Sequence, residues 1–325
     1  MNTEKATVLV TGGSGFIGRH LCKLLVDQGY DVINIDRVKF DQPGVIQYPF
    51  DLASHQVDGV IKLTRPETII HLAAEHEVGR SVQEPAVYYE NNINNTINLL
   101  NAAAQAGVKN FIFSSSSSVY GNQDSYPVSE DAIKLPQSPY ARTKSMVEDM
   151  LPDYEQAYGI RWLSLRYFNA VGAGYTQDPP AHIVPKLCEA AAKETIFEIY
   201  GNNYDTPDGT CLRDYTHVTD IAEAHLAGMR VLQESDVTSQ SINLGANRPV
   251  SVLELIDMFN QVTGQNVTRD YMPNRAGDVV ITHASNQRAF DILHWEPKHT
   301  LEQACAEAWQ WHQSQKPSRR KKNAQ

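Results

Sequence analysis

Thr7-Val8-Leu9-Val10-Thr11-Gly12-Gly13-Ser14-Gly15-Phe16-Ile17-Gly18 is the stretch on which the rest of the chain is read. Thr7 to Val10 is a short, β-branched apolar run bounded by turn residues, the pattern of a buried strand. Gly12, Gly15 and Gly18 allow a tight turn and let backbone come close to a pyrophosphate, whose charge then faces the N-terminus of the helix that Phe16 and Ile17 begin. Ile17, Leu21, Leu24 and Leu25 continue with helical spacing. A glycine pattern alone also occurs in ordinary strand-helix turns. Here Asp36 closes the second apolar run, Val32 to Ile35, at roughly the 20-residue interval expected for a carboxylate that binds a ribose 2′-hydroxyl. That carboxylate would repel a 2′-phosphate, so the expected cofactor is NAD; adjacent Arg37 is the contrary sign.

Outward from this start, Thr68-Ile69-Ile70-His71, Asn110-Phe111-Ile112-Phe113 and Trp162 to Tyr167 read as further buried strands, with helical patterns such as Ile93, Ile97, Leu100 and Ala104 between them. The alternation predicts an α/β fold, a doubly wound parallel sheet covered on both faces. After Asn169 the rhythm breaks into a loop-rich region with short elements, a smaller α+β substrate domain. The expected division is 1–169 for the nucleotide, with a return to its sheet near 215–245, then 170–312, then a flexible basic tail over 313–325. Asp51 and Leu52, after a third strand, would suit the adenine edge; a plain loop aspartate is the alternative. Leu72, Ala73 and Ala74 are small enough at a strand end for a dinucleotide to lie over them, while His71 reads as a satisfied strand-end histidine. Asn91 is expected to reach the cofactor or a bound water, and Asn92, Asn94 and Asn95 to be solvated surface.

The chain has 325 residues, 42% hydrophobic and 20% charged, with a formal charge of −10. These values describe an ordinary soluble protein and argue against nucleic acid or an anionic membrane as partner. Cys22, Cys188, Cys211 and Cys305 are scattered, without metal spacing, and read as reduced thiols of a cytoplasmic protein with no metal site. No apolar stretch approaches the ~18 residues of a membrane span. The run Lys316 to Lys322 reads as a solvated terminus.

Tyr140 and Lys144 stand four apart after Ser138, a suitable N-cap, and Pro139, a suitable first helical residue, so they share one helix face. A phenol ionises near ~10. A neighbouring ammonium and a cationic cofactor ring would favour the phenolate and make Tyr140 a base. Such a pair also arises by chance, and its surroundings give it meaning.

With the glycine loop, the stretch from Phe111 through Ser116 to Tyr120-Gly121, Pro136 to Tyr140, Arg166-Tyr167-Phe168-Asn169 and the run Tyr200 to Tyr215 in hand, the chain resembles the extended short-chain dehydrogenase/reductases and, within them, the UDP-glucose 4-epimerases. The likeness covers about residues 6 to 312. It implies a Rossmann fold, NAD as cofactor, a UDP-sugar substrate and a homodimer through helices around 83–107 and 138–158. It implies that Tyr140 takes the proton of the sugar 4-hydroxyl, that Ser116 hydrogen-bonds that oxygen, and that Lys144 binds the nicotinamide ribose. The hydride goes to NAD and returns to the other face of a 4-ketose. Phe168 would line the cofactor. Asn169, the backbone near His182-Ile183 and Glu198-Ile199-Tyr200, and Asp278 would surround the UDP-sugar, with Arg213 and Arg275 on the diphosphate. Bare, those arginines would pass for surface residues.

Departures from the family pattern matter too. His76 stands where many epimerases carry a lysine. His71 to Glu75 looks more like sugar-nucleotide dehydratases, yet Ser116-Ser117-Ser118-Val119 offers no carboxylate for dehydration. Thr282 falls where some members carry a bulky tyrosine, which predicts room for an N-acetyl group; a loop residue away from the sugar is the alternative. A decarboxylase or net oxidoreductase of the same fold, and a non-catalytic NAD-sensing regulator, are the other readings. The regulator would have no need of Ser116, Tyr140 and Lys144 together.

Overall fold

The computed structural model describes residues 6–234, 237–275 and 278–315, so the basic run from Lys316 lies outside it. Strands β1 (Thr7–Thr11), β2 (Asp31–Ile35), β3 (Val45–Tyr48), β4 (Thr68–His71), β5 (Asn110–Ser116) and β6 (Arg161–Tyr167) belong to one sheet. Short strands β7 (Asn169–Val171), β8 (Phe197–Tyr200) and β9 (Leu212–His217) follow, before β10 (Gln240–Leu244) returns to pair with β6. The large sheet runs β10-β6-β5-β4-β1-β2-β3, parallel throughout. Its central strands are apolar on both faces because helices cover both.

Helices α1 (Phe16–Asp27), α2 (Gln56–Thr64), α3 (Val78–Gln83), α4 (Pro85–Tyr89), α5 (Asn95–Ala106) and α6 (Pro139–Tyr158) fill the first half; a π turn, Glu90–Asn94, joins α4 to α5. One core packs α2, α5 and α6 on the sheet through Val60, Leu99, Leu100 and Val147. The other packs α1 and α8 (Val218–Glu234), after α7 (Ile183–Lys193), through Leu21, Leu25, Ile221 and Met229. Ala289, Leu293 and Trp295 join this second core, so 289–295, expected in the smaller domain, packs with the large sheet instead.

The smaller layer is built from α7, α9 (Val252–Thr263) and α11 (Leu301–Ser314), the helix over Gln287–Leu293 being α10. Leu187, Ile199, Tyr215, Phe259 and Trp309 are buried together there. Two short sheets complete it: β7-β9-β11 (Pro249–Ser251) and β8-β12 (Arg269–Met272). Capping boxes start α9 at Ser251/Glu254 and α11 at Thr300/Gln303.

Among the described residues no helix is long and apolar enough to cross a membrane. All four cysteines are free and buried.

Candidate active site

The carboxyl ends of β1, β2, β4, β5 and β6 open onto one cleft of about 2000 Å³ whose far wall is α7, β8, β9 and the residues Arg275, Asp278, Val279 and Thr282. Every residue singled out for cofactor or substrate lines it: Gly12, Gly15, Phe16, Ile17, Gly18, Asp36, Asp51, Leu52, Leu72, Ala73, Ala74, Asn91, Ser116, Tyr140, Lys144 and Phe168 on one side. Asn169, His182, Ile183, Glu198, Ile199, Tyr200, Arg213, Arg275, Asp278 and Thr282 lie on the other.

Residue spacing explains the nucleotide end. Gly12 sits at φ +74°, and a Cβ there would stand 2.6 Å from Ala73 N; a Cβ on Gly18 would stand 2.3 Å from Gly12 O. The loop is therefore flush against both β4 and α1, as only glycine permits. Gly15 caps α1, whose first turn carries no acidic residue, so its N-terminal amides present an uncompensated positive end to the cleft. Asp36 accepts from Ser14 N and Val38 N, both at 3.0 Å, which fixes its carboxylate at the tip of β2. Arg37 is turned to Glu75 at 3.0 Å. These features fit a dinucleotide with an unphosphorylated ribose.

Asn34, buried in β2, was not anticipated. It accepts from Gly13 N at 2.9 Å and donates to Ser14 Oγ at 3.1 Å, pinning the glycine loop from below. A lone asparagine in an apolar strand was the available signal. His71 is the satisfied histidine expected: its nitrogens meet Thr11 Oγ1 at 2.7 Å and Thr96 Oγ1 at 2.8 Å. Burial pushes its pKa down to about 3, so the ring is neutral.

Asn91 lines the cleft, with its amide donating to Val87 O at 2.8 Å. Asn92 and Asn95, expected on the surface, are buried; Asn94 is exposed. Asn92 accepts from Glu75 N at 2.9 Å and donates to Glu75 O and Thr143 Oγ1. The local cause is the π turn, which breaks the 3.6-residue register of the helical pattern and turns Asn92 inward. Asn95 lies at the cleft beside Asn91.

Tyr140 and Lys144 stand on α6. Ser138 Oγ accepts from Ala141 N at 3.2 Å and Pro139 takes the first helical position, as the sequence predicts. Lys144, 3% exposed, donates to Ser114 O at 2.7 Å, with Nζ 5.8 Å from the centre of the Tyr140 ring. Burial pulls its pKa down to about 7, opposed by Glu148. The Tyr140 phenol lies above its ordinary value, against expectation: desolvation raises it and outweighs the hydrogen bond with Ser116 that lowers it. Ser116 Oγ also accepts from Ser118 Oγ at 2.9 Å. Phe168 is buried with Val119, Tyr120 and Val128, so it packs as well as lining the cleft.

On the far wall Asn169 donates to Asp214 O at 3.0 Å and faces Thr282 Oγ1 at 3.5 Å. Thr282 is therefore a cleft residue beside β7. Arg213 Nη1 donates to Leu212 O and Val280 O. The Arg275 guanidinium lies 3.4 Å over the Tyr200 ring, whose hydroxyl donates to Glu198 at 2.6 Å. His76 and His182 stack across the cleft, ring centres 5.4 Å apart. Asp214, unforeseen, is fully buried and accepts from the amides of Ala246, Asn247 and Ala284, tying β9 to two loops.

Seven parallel strands with one cleft over their carboxyl ends and a glycine loop at its edge form the architecture of a dinucleotide-dependent α/β enzyme. A family model described as "NAD dependent epimerase/dehydratase family" matches residues 8–245. UDP-glucose 4-epimerase of Rhizobium meliloti (strain 1021) is 38% identical over 321 residues, covering 95% of this chain and 98% of its own. A solved UDP-glucose 4-epimerase from Stenotrophomonas maltophila, with NAD and formylated UDP-arabinopyranose bound, superposes with TM-score 0.90 at 34% identity, over 95% of this chain and 98% of that one. A UDP-N-acetylglucosamine 4-epimerase from Methanobrevibacter ruminantium M1, in complex with UDP-N-acetylmuramic acid, gives TM-score 0.86 at 30% identity, over 96% and 100%. The chain belongs to the NAD-dependent epimerase/dehydratase family, in its UDP-glucose 4-epimerase branch.

Proposed function

We propose that this chain interconverts UDP-hexoses at C4, using NAD that ends each turnover as it began. The observation that carries the reading is one cleft lined by the glycine loop, by Ser116, Tyr140 and Lys144, and by Arg213 and Arg275. Gly12, Gly15 to Gly18, Asp36, Asp51, Leu52, Leu72 to Ala74, Asn91, Lys144 and Phe168 would hold the dinucleotide. When bound, NAD supplies the hydride acceptor and donor. Tyr140 Oη withdraws the proton of the sugar 4-hydroxyl while Ser116 Oγ hydrogen-bonds the same oxygen. Arg213 and Arg275 hold the diphosphate by charge-assisted hydrogen bonds. Asn169, Asp278, His182-Ile183 and Glu198 to Tyr200 surround the uridine and sugar. With the diphosphate held, the 4-ketose turns its other face, and Tyr140 returns the proton to the C4 oxygen.

Thr282, small and beside Asn169, leaves room for an N-acetyl group, so UDP-N-acetylhexosamines are proposed as substrates too. The nucleotide unit is taken as 1–169 with the return over 215–245 and the segment 289–295 that packs on it, and the sugar unit as the remainder to 312. A homodimer through helices around 83–107 and 138–158, and a cytoplasmic location consistent with free thiols, complete the proposal.

Purified protein incubated with UDP-glucose, UDP-galactose, UDP-GlcNAc and UDP-GalNAc, without added NAD, tests it. Interconversion of each C4 pair is expected. Accumulating NADH or released CO2 would favour an oxidoreductase or decarboxylase instead, and UDP-GlcNAc left untouched beside active UDP-glucose would sink the assignment of Thr282.

A further inference from the structure

Lys144 is buried, with a single carbonyl, Ser114 O, at 2.7 Å and the Phe113 ring 4.8 Å below its ammonium. Such a site favours the neutral amine. One helical turn on, along the face that carries Tyr140 and Lys144, stands Glu148, 4% exposed. Its Oε1 accepts from Ser115 Oγ at 2.6 Å, Ser164 Oγ at 3.0 Å and Arg166 Nε at 2.9 Å. Its Oε2 accepts from Arg166 Nη2 at 2.7 Å and Lys134 Nζ at 3.5 Å.

These donors hold Glu148 as a carboxylate against its burial. Stability is a weak reason for a buried ion pair, since apolar replacements often serve as well. Its place suggests another use. Ser115 directly precedes Ser116 on β5, and Ser164 and Arg166 lie on the neighbouring strand β6. Arg166 reaches on to Tyr120 Oη at 2.7 Å and Glu130 O at 3.0 Å.

The other titratable groups around Lys144 do not stabilise its charge. His71 on β4 is neutral, and His76 at the cleft is held toward neutrality by desolvation despite Glu75 and Glu77. Tyr140 and Tyr167 are both raised by burial and so uncharged. Arg166 and Lys134 are bonded to the carboxylate itself.

We propose that Glu148 is a positioning residue for the reaction: its carboxylate keeps Lys144 an ammonium and fixes the catalytic helix against the serine strand. The inference rests on Lys144 acting in its charged form beside Tyr140.

The ammonium is lost as pH rises through its pKa, and removing the carboxylate lowers that pKa. In Glu148→Gln the alkaline limb of the kcat/KM profile should therefore move to lower pH by about one unit, which is about tenfold in rate on that limb. Activity should recover in part near pH 6, and Glu148→Asp should restore the wild-type limb. A limb that stays in place, whatever happens to Tm, would reduce Glu148 to a structural role. If Glu148→Gln strands Arg166 and does not fold, the double variant Glu148→Gln/Arg166→Gln removes both charges. Relative to Arg166→Gln alone it should show the same displacement, and a limb unshifted from that reference overturns the proposal equally. Lys144→Met separates the two layers: full activity in it would remove Lys144 from the chemistry, independently of Glu148.

Discussion

Tyr140 and Lys144 are placed where burial disfavours the charged form of each. From sequence alone the ammonium is expected to lower the phenol. Instead, Lys144 Nζ is committed to Ser114 O and is itself drawn to about 7, so the phenol stays raised, with Ser116 the one group pulling it down. The proposed role of Tyr140 as a base then calls for the cationic ring of bound NAD to favour the phenolate. Tyr140→Phe removes the proposed proton acceptor while keeping the ring against Tyr88, 6.5 Å away between centres. Turnover should fall by about 10²–10⁴-fold with Tm little changed. Near-normal turnover in a folded Tyr140→Phe protein would take this side chain out of the mechanism. Both residues were legible because their spacing and the Ser138-Pro139 cap are local signals. The direction of the phenol's shift was not, because desolvation depends on the whole cleft.

At the scale of elements, the sheet strands and α6 could be read because apolar runs and caps belong to short windows of sequence. The stretch from Pro85 to Ala106 could not be read correctly with a single helical period. The π turn over Glu90–Asn94 interrupts the period, and Asn92 turns inward to hold both backbone groups of Glu75 and the Thr143 hydroxyl of α6. Asn92 thereby ties the segment after β4 to α6. Asn92→Ala leaves the part-buried N–H and C=O of Glu75 unpaired, while the Thr143 hydroxyl keeps its bond to Tyr140 O, and should cost about 1–3 kcal/mol in urea unfolding. A loss below about 0.5 kcal/mol, within the range of ordinary surface substitutions, would show that the contact is dispensable.

Across the whole molecule, the chain's return to its first sheet was legible in outline. The placement of 289–295 was not: Leu293 and Trp295 could bury against either layer, and only the packing with α8 and β10 decides. Asp214 escaped for a related reason, since its backbone donors come from residues 32, 33 and 70 positions away. The site residues drawn from distant parts of the chain do meet at one cleft, where a hydride is proposed to leave C4 and return to it. UDP-glucose deuterated at C4, incubated with the protein and no added NAD, tests this most directly. UDP-galactose that retains the deuterium at C4, without NADH accumulating, is expected. Deuterium lost to solvent, or one NADH formed per sugar converted, would contradict it.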